Sequence, residues 1–264
     1  MSARPKKSFG QHFLHERRYI ERIVSAISPR PDDFLIEIGP GEGALTFPLL
    51  AAAGKLTAIE LDTDLIPSLQ ANAAAIGELS IVHADVLKVD FTALAHRHGV
   101  SRLRIAGNLP YYISSPILFH CIDHAAAITD MHFMLQKEVV DRMAAEPGSK
   151  VYGRLSVMLQ LACRVDPLFD VPPGAFRPPP KVDSSVVRLV PLAAHERHDA
   201  NPERLYAVVK AAFAQRRKTL GNALRQVMDA DAIRLADVDP KARAETLAPE
   251  DFVRLAKVNV DQPS

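Results

Sequence analysis

The sequence predicts an α/β fold in which a mostly parallel sheet has helices on both faces, followed by a small all-helical domain. From residue 17 onward, short apolar segments alternate with helical ones, which is the pattern of repeated βαβ units. Beyond residue 200, apolar residues recur at the spacing of one helical face, which indicates helices. The chain has 264 residues, 48% of them hydrophobic, and is long enough for one large and one small domain.

The N-terminal part contains five strand candidates separated by helical segments. An amphipathic stretch over residues 19–27 precedes the first candidate, and a glycine-rich turn and an apolar helix over residues 43–54 follow it. The candidates are FLIEIG (34–39), KLTAIEL (55–61), LSIVHAD (79–85), RLRIAGN (102–108) and ITDMHFMLQ (128–136). Their apolar character predicts strands that are covered on both faces, as in a parallel sheet.

The character of the sequence changes near residue 166, where DPLFDVPPGAFRPPPK contains six prolines. Proline fixes φ and lacks an N–H donor, so this stretch is predicted to be a stiff, irregular loop. KVDSSVVRLVPL (181–192) is predicted to be the last strand, and HERHDA (195–200) a polar linker. We therefore place a domain boundary between residues 1–197 and 198–264.

The second domain is predicted to begin with a helix in NPERLYAVVKAAFAQRRK (201–218). Asn201 suits the N-cap and Pro202 the first helical position. The predicted buried face of this helix comprises Leu205, Val208, Val209, Ala212 and Phe213.

Composition limits the possible environments. No apolar run approaches the ~18 residues that a membrane span needs, so no membrane association is expected. The two cysteines, Cys121 and Cys163, lie in apolar contexts, which predicts no disulfide framework and a cytoplasmic location. The formal net charge is +1 and by itself indicates nothing about nucleic acid, although basic residues cluster at 4–7 and 215–218.

EIGPGEGALT (37–46) places three glycines, at 39, 41 and 43, between a strand and a helix. Glycine lets the backbone approach a ligand, and the helix start offers free N–H groups. The third glycine comes one residue too early for the dinucleotide pattern G-x-G-x-x-G. A tight turn without a ligand is the alternative reading of these residues alone.

Acidic residues end the next two strand candidates. Glu60 follows the glycines by about 20 residues, where a carboxylate can accept from ribose hydroxyls. Asp85 ends the third candidate, where it can accept from an adenine amino group. Because ligands of open α/β sheets bind at the carboxyl ends of the strands, we predict a nucleoside cofactor, either NAD or S-adenosylmethionine.

GNLPYYISS (107–115) ends the fourth strand candidate and separates these two cofactors. An amine conjugated to a ring is a poor nucleophile, and two acceptors, the Asn108 amide oxygen and the Leu109 carbonyl, favour a more tetrahedral nitrogen. Pro110 stiffens the turn, and Tyr111 offers a face to a base turned out of its helix. The nitrogen can then attack a sulfonium methyl in line, helped by proximity. Hydride transfer has no use for this arrangement.

Seven segments occur in the same order as in the bacterial small-subunit rRNA adenine dimethyltransferases, which the chain resembles over nearly its whole length. They are KSFGQHFL, EIGPGEGALT, AIELD, HADVL, NLPYYISSPIL, FRPPPKVDSSVV and FAQRRKTLGNALR. The resemblance implies a class I, Rossmann-like methyltransferase that uses S-adenosylmethionine, with a C-terminal helical domain. It also implies dimethylation of N6 at two adjacent adenosines near the 3′ end of 16S rRNA, the small ribosomal subunit as partner, a role in ribosome biogenesis and a monomer.

Site residues follow from the resemblance position by position. An N-terminal segment, residues 1–16, would fold over the cofactor. The implied cofactor-binding residues are His12, Leu14, Gly39, Gly41, Glu60, Asp85, Val86 and Asn108. The implied catalytic residues are Asn108, Leu109, Pro110, Tyr111 and Phe176, the last as a second stacking ring. The family often has asparagine at the positions of His12 and Tyr112, so a backbone contact remains possible for His12 and no role is predicted for Tyr112.

Basic residues would meet the RNA. The predicted RNA-binding residues are Lys6, Lys7, Lys210, Arg216, Arg217, Lys218 and Arg225. On helical geometry Lys210, Arg217 and Lys218 project away from the predicted buried face and are free to meet phosphates. The alternative is a solvated helix face without a ligand.

Several alternatives remain open at this point. The same chemistry could act on large-subunit rRNA, on DNA or on a protein glutamine, although the glutamine enzymes resemble Asn-Pro-Pro-Tyr where this chain has Leu109. A ribosome-assembly factor with secondary methylation is a further alternative. His120 and His124 have zinc-binding spacing but no clear third ligand, so no metal is expected.

Overall fold

A computed structural model of the chain describes residues 12–215 and 217–258. The chain forms two compact units, one within Met1–Val140 and Asp166–Pro191, the sheet unit, and the other within Asp141–Val165 and Leu192–Ser264, the helical unit. The helical unit thus includes residues 141–165 and 192–197 besides the predicted second domain. The boundary at 197/198, as a division between functional domains, stays a prediction.

Strands and helices alternate through the first half of the chain, as predicted. They are β1 Phe13–Leu14, α1 Arg17–Ile27, β2 Leu35–Ile38, α2 Thr46–Ala53, β3 Lys55–Glu60, α3 Ile66–Ala73, β4 Glu78–His83, α4 Phe91–Arg97, β5 Leu103–Asn108, α5 Ser114–Asp123, β6 Ile128–Gln136 and α6 Lys137–Met143. The remaining elements are α7 Arg154–Gln160, β7 Cys163–Val171, β8 Phe176–Arg177, β9 Ser184–Pro191, α8 Pro202–Ala212, α9 Leu220–Ala223, α10 Ala230–Leu235 and α11 Pro249–Lys257. Within the described residues, no helix combines the length and apolar character needed to span a membrane.

One seven-stranded sheet organises the sheet unit, in the order β4-β3-β2-β5-β6-β9-β7. Strands β2 to β6 run parallel, and β9 is antiparallel to β6. The predicted fold class, a mostly parallel sheet with flanking helices, is confirmed. Strand order reverses between β2 and β5, and the crevice beyond their carboxyl ends is where open α/β sheets bind ligands.

The strands of this sheet are apolar because helices and neighbouring elements cover them. Every residue of β2 is buried, as expected for a central parallel strand. A hydrophobic cluster joins the sheet to α1, α2 and β8 and includes Leu14, Ile23, Ile27, Leu35, Leu49, Leu50, Ala106, Met134, Phe176 and Val186.

The prediction of an irregular loop from residue 166 is wrong for its first part, because residues 166–171 belong to β7. β7 is the last strand in the sheet order, and an edge strand tolerates Pro167 because its missing N–H need not pair with a neighbour. From residue 172 the stretch is irregular apart from a 3₁₀ turn over Pro173–Ala175 and β8, whose Phe176 and Arg177 pair antiparallel with β1.

The helical unit begins its first long helix as predicted. The Asn201 side chain accepts a hydrogen bond from Arg204 N at 3.0 Å, and Pro202 is the first residue of α8. The core of this unit includes Tyr152, Val157, Leu205, Val208, Val209, Ala212, Leu220, Leu224, Ile233, Phe252 and Leu255. Tyr152 belongs to residues 141–165, and its hydroxyl donates to the Leu247 carbonyl at 2.9 Å.

α8 ends at Ala212, six residues before the end of the predicted helical segment. The chain turns because Leu220 N and Gly221 N bond to the carbonyls of Ala242 and Pro240, each at 2.9 Å. The helical-geometry argument for Arg217 and Lys218 is therefore wrong, since both follow the helix.

Candidate active site

An open cleft lies at the carboxyl ends of β2, β3, β4 and β5, within the sheet unit. The predicted residues that line it are His12, Leu14, Gly39, Gly41, Glu60, Asp85, Val86, Asn108, Leu109, Pro110 and Tyr111. Its empty volume, counted to the solvent at its mouth, is about 1140 Å³.

The glycine-rich turn forms one wall of the cleft. Gly39 and Gly41 have φ values of 67° and 58°, a region that side chains with a Cβ adopt at a cost. A Cβ on Gly41 would also lie 3.2 Å from the Phe13 ring, so a side chain at this position would crowd β1. The turn therefore presents bare backbone to the cleft.

Glu60 links this turn to the end of β3. Its Oε1 accepts from Asp62 N at 2.7 Å, and its Oε2 faces Gly41 N at 3.4 Å. Burial raises the pKa of the Glu60 carboxyl above its ordinary value, although the backbone hydrogen bonds counteract the rise. The carboxylate is thus held in one orientation at the cleft wall, which suits its predicted contact with ribose hydroxyls.

Asp85 and Val86 lie at the end of β4. The Asp85 carboxylate accepts from Leu87 N at 3.0 Å and caps a short 3₁₀ helix over Val86–Lys88. This bond fixes the side chain at the cleft wall beside Val86, which is buried. The predicted contact of Asp85 with an adenine amino group stays a prediction.

Glu37 is a cleft residue that the sequence argument missed. It lies in β2, is only 1% exposed, and its Oε2 has no hydrogen-bond partner among the described residues. Burial, together with the nearby charge of Glu60, raises the pKa of the Glu37 carboxyl to about 7, against the opposing effect of the Thr46 hydroxyl. An acid within an apolar strand next to the glycines was the available signal.

Asn108, the last residue of β5, uses the nitrogen of its side-chain amide in a hydrogen bond within the protein. Its Nδ2 donates to the backbone carbonyl of His12 at 3.1 Å. This bond orients the side chain and leaves Oδ1 as an acceptor at the cleft. The next residue is fixed as well, because Leu109 N donates to the Met134 carbonyl on β6 at 3.1 Å. The Asn-Leu-Pro turn is thus attached to the rigid sheet.

Tyr111 is held from two directions. Its hydroxyl forms a 2.7 Å hydrogen bond with Ser184 Oγ at the start of β9. Its ring lies against the His12 ring, with 5.5 Å between centroids and 29° between planes. His12 is itself anchored, because its Nδ1 lies 2.8 Å from the Pro178 carbonyl oxygen in the proline-rich segment. The Tyr111 ring is therefore a fixed surface in the cleft.

Phe176 lies elsewhere. It is 2% exposed, belongs to the hydrophobic cluster and pairs with Leu14 across the short β1–β8 ladder. It is not among the residues that line the cleft. Its role as a second stacking ring stays a prediction, and would require the β8 segment to leave this packing. Tyr112 lines the cleft instead and is 62% exposed.

The described residues of the predicted RNA-binding set are exposed. Lys210 lies on the solvent side of α8, Arg217 and Lys218 lie in the turn after it, and Arg225 follows α9. Lys6, Lys7 and Arg216 fall outside the described residues. The predicted RNA contacts of all seven stay predictions.

His120 and His124 make contacts that explain them without a ligand. His120 Nε2 lies 2.8 Å from the Val89 carbonyl oxygen, and His124 Nδ1 lies 2.9 Å from Thr92 Oγ1. Over residues 12–215 and 217–258 there is no group of three or more His, Cys, Asp or Glu side chains arranged to hold a metal ion. The expectation of no metal stays a prediction.

Known proteins resemble the whole chain. Residues 2–260 match the model of a family described as ribosomal RNA adenine dimethylase. A Xanthomonas campestris pv. campestris (strain B100) protein named Ribosomal RNA small subunit methyltransferase A is 62% identical over 259 residues, which cover 98% of each chain. A protein of the same name from Xanthomonas oryzae pv. oryzae (strain PXO99A) is 63% identical over 257 residues, with 97% of each chain covered.

Two solved structures are similar in fold. A dimethyladenosine transferase from Plasmodium falciparum has a TM-score of 0.78 and 26% identity, covering 92% of this chain and 96% of that one. The 23S rRNA methyltransferase ErmE has a TM-score of 0.70 and 28% identity, covering 95% of this chain and 100% of that one.

Proposed function

This chain belongs to the ribosomal RNA adenine dimethylase family, and we propose that it transfers methyl groups from S-adenosylmethionine to the N6 atoms of two adjacent adenosines in 16S rRNA. The observation that supports this proposal most directly is the hydrogen bonding of the Asn108 side chain. Its amide nitrogen is paired with the His12 carbonyl, so its oxygen remains to accept from an incoming amine. The proposed setting is ribosome biogenesis.

The cleft suits a cationic nucleoside. Backbone of the glycine turn can approach the ligand closely, and Glu60 and Asp85 provide acceptors at the ends of two neighbouring strands, where a ribose and an adenine would bind. Glu37 adds a carboxylate oxygen that is hydrogen-bonded to nothing in the described part of the chain, which favours a positively charged group nearby. Bound S-adenosylmethionine would supply an electrophilic methyl group at this site. His12, Leu14, Gly39, Gly41 and Val86 are the proposed further contacts.

The nucleophile is an aromatic amine, and the turn after β5 improves it. Asn108 Oδ1 and the Leu109 carbonyl would accept hydrogen bonds from the N6 hydrogens, which favours a nitrogen lone pair that is out of conjugation and directed toward the methyl carbon. Each transfer would form the N–C bond, break the sulfonium S–C bond to leave S-adenosylhomocysteine, and release one N6 proton to solvent. Pro110 keeps the turn stiff, and the Tyr111 ring gives the base a face to stack on. Holding both reactants in line supplies much of the rate enhancement. No side chain acts as a strong base, because the nitrogen becomes acidic only as it gains the methyl group.

The RNA target follows from the curated relatives. Both Xanthomonas relatives are named for the small ribosomal subunit, whereas ErmE, named for 23S rRNA, is only 28% identical. We therefore propose the small subunit as partner. A cytoplasmic location and a monomeric enzyme stay predictions from the sequence. The exposed Lys210, Arg217, Lys218 and Arg225, with Lys6, Lys7 and Arg216, are the proposed phosphate contacts.

The test is transfer of labelled methyl groups to unmethylated small subunits, large-subunit rRNA and a protein extract in parallel. Label in N6,N6-dimethyladenosine from small subunits alone supports the proposal. Label in large-subunit rRNA or in glutamine contradicts the substrate and leaves the methyl-transfer chemistry standing. Absence of transfer despite cofactor binding would instead favour an assembly factor. An Asn108→Ala variant that still binds subunits provides the matched inactive control.

A further inference from the structure

Tyr112 is an exposed aromatic side chain at a site that is otherwise well packed. It is 62% exposed and lines the cleft. The other large hydrophobic side chains in the described residues with substantial exposure are Leu61, Ile76, Val151, Val182, Tyr206 and Leu235. Of these, Leu61 alone also lines the cleft. An exposed aromatic ring beside a concave site offers a face on which a nucleic-acid base can stack.

Its position differs from that of Tyr111 although the two are adjacent in sequence. Both lie in a 3₁₀ turn over Tyr111–Ile113, where successive side chains are about 120° apart around the axis. The Tyr111 hydroxyl is bonded to Ser184 and its ring contacts His12. The Tyr112 ring points to solvent at the mouth of the cleft. The two rings therefore cannot stack on the same base.

We propose that Tyr112 is a stacking platform for the RNA base next to the target adenosine. This inference rests on the proposed function, in which the two targets are adjacent. While one adenosine occupies the cleft beside Asn108 and Tyr111, its neighbour has lost a stacking partner and lies at the mouth. A planar ring that is already exposed there replaces the lost stacking at little desolvation cost. Tyr112 thus positions the strand for both transfers without touching the reacting atoms.

The effect should be large enough to measure. Stacking of a base on an aromatic side chain contributes ~1–3 kcal/mol per base, and each 1.4 kcal/mol is a factor of ten. Tyr112→Ala is therefore expected to lower kcat/KM for small subunits by about 5-fold to 150-fold. Tyr112→Phe keeps the ring and should retain nearly full activity, whereas Tyr112→Leu keeps the apolar character without the ring and should resemble Tyr112→Ala.

A matched control comes from the helical unit. Tyr206 is 40% exposed, and the Arg154 guanidinium lies 5.7 Å from its ring centroid. Tyr206→Ala removes an exposed ring of the same type that is not among the cleft-lining residues, so kcat/KM should stay within about twofold of the wild type. Cofactor affinity and the melting temperature should be unchanged in all Tyr112 variants, because this side chain packs at the mouth only.

Three outcomes separate the possibilities. Full activity of Tyr112→Ala, with wild-type enzyme dimethylating small subunits normally, overturns the stacking role alone. Weakened cofactor binding or a lower melting temperature in Tyr112→Ala also overturns it, since that pattern indicates a structural role for the ring. Failure of the wild-type protein to methylate small subunits overturns the proposed function itself, before any variant is compared.

Discussion

The two ends of the central sheet use polar residues in opposite ways. At the amino end of β5, the Arg104 guanidinium makes five hydrogen bonds, to both Asp130 oxygens, to Asp33 and to the carbonyls of Ile27 and Ser28. The distances range from 2.6 to 3.3 Å, and all five N–H donors are used. At the carboxyl end of the same strand, Asn108 uses its amide nitrogen and leaves its oxygen to the cleft.

The difference shows which polar groups stabilise the fold and which serve the reaction. The Arg104 cluster is closed, because it ties the last carbonyls of α1 to β5 and β6 and has no donor left for a ligand. The cleft end is open, since Glu37 Oε2 has no hydrogen-bond partner within residues 12–215 and 217–258 and the Asn108 oxygen faces the cavity. Unpaired buried polar groups lower the stability of the fold. Proteins retain such groups at positions where a ligand will bind to them.

The largest expected effect comes from breaking the closed end. Asp130→Ala removes two of the five hydrogen bonds of Arg104. The guanidinium charge is then only partly paired, in a side chain that is 13% exposed. Removing one member of a buried ion pair typically costs about 3–5 kcal/mol. We expect that loss in the free energy of unfolding, measured by urea denaturation, with kcat of the folded enzyme at low temperature unchanged. Loss of activity without loss of stability would contradict the division of roles.

A substitution at the cleft end of β5 should lower activity strongly and stability only slightly. Asn108→Ala removes the acceptor for the incoming amine, and loss of one such preorganised polar group typically lowers kcat by about 100-fold to 1,000-fold. The free energy of unfolding should change by no more than about 1 kcal/mol, as for one neutral hydrogen bond. Methyl transfer to small subunits and urea denaturation check the two halves separately. A strongly destabilised but catalytically competent variant would show that Asn108 belongs to the scaffold.

The contribution of Glu37 to the free energy of unfolding should depend on pH. Its pKa is about 7 in the folded protein against an ordinary 4.5, so the folded state binds its proton more tightly than the unfolded state does. Stability from this group is therefore greatest at low pH and falls as the pH rises from about 4.5 to 7. Glu37→Gln removes that fall and should stabilise the cofactor-free protein at pH 8 by up to about 3 kcal/mol.

At pH 4.5 the gain from Glu37→Gln should vanish, because the wild-type carboxyl is then protonated in the folded state. Urea denaturation at the two pH values is the measurement. Asp32→Asn, which removes an exposed carboxylate, is the control for a general effect of removing one negative charge. Equal stabilisation by Glu37→Gln at both pH values would contradict a titrating Glu37.

The smallest effect tests the hydrogen bond between Tyr111 and Ser184. A neutral hydrogen bond contributes about 1 kcal/mol, so Tyr111→Phe and Ser184→Ala should each cost about that much in the free energy of unfolding. The double variant should cost less than the sum, with a coupling energy of about 1 kcal/mol. Additive effects would show that the 2.7 Å contact does not hold the ring.

The amino-acid sequence was enough to predict the alternation of strands and helices in the sheet unit. It was also enough to predict the order of the first five sheet strands along the chain and the residues at their carboxyl ends. These depend on local patterns: apolar runs that suit buried strands, glycines that permit positive φ, and an Asn201-Pro202 start for α8. Of the eleven predicted residues that line one cleft, His12, Leu14 and Val86 were predicted only from the resemblance to the dimethyltransferases. For the residues at the strand ends local patterns were sufficient, because parallel strands bring their carboxyl ends to the same edge.

The hydrogen bonds and the burial of these residues could be read from the tertiary structure alone. That Arg104 finds partners from 26 to 77 positions away, or that Glu37 is buried without one, depends on how distant segments pack. The same holds for the two wrong predictions, since an edge position makes Pro167 compatible with β7 and contacts at residues 240–242 end the helical path after Ala212. Periodicity indicates which side of an element is apolar, but burial and pairing depend on what packs against it.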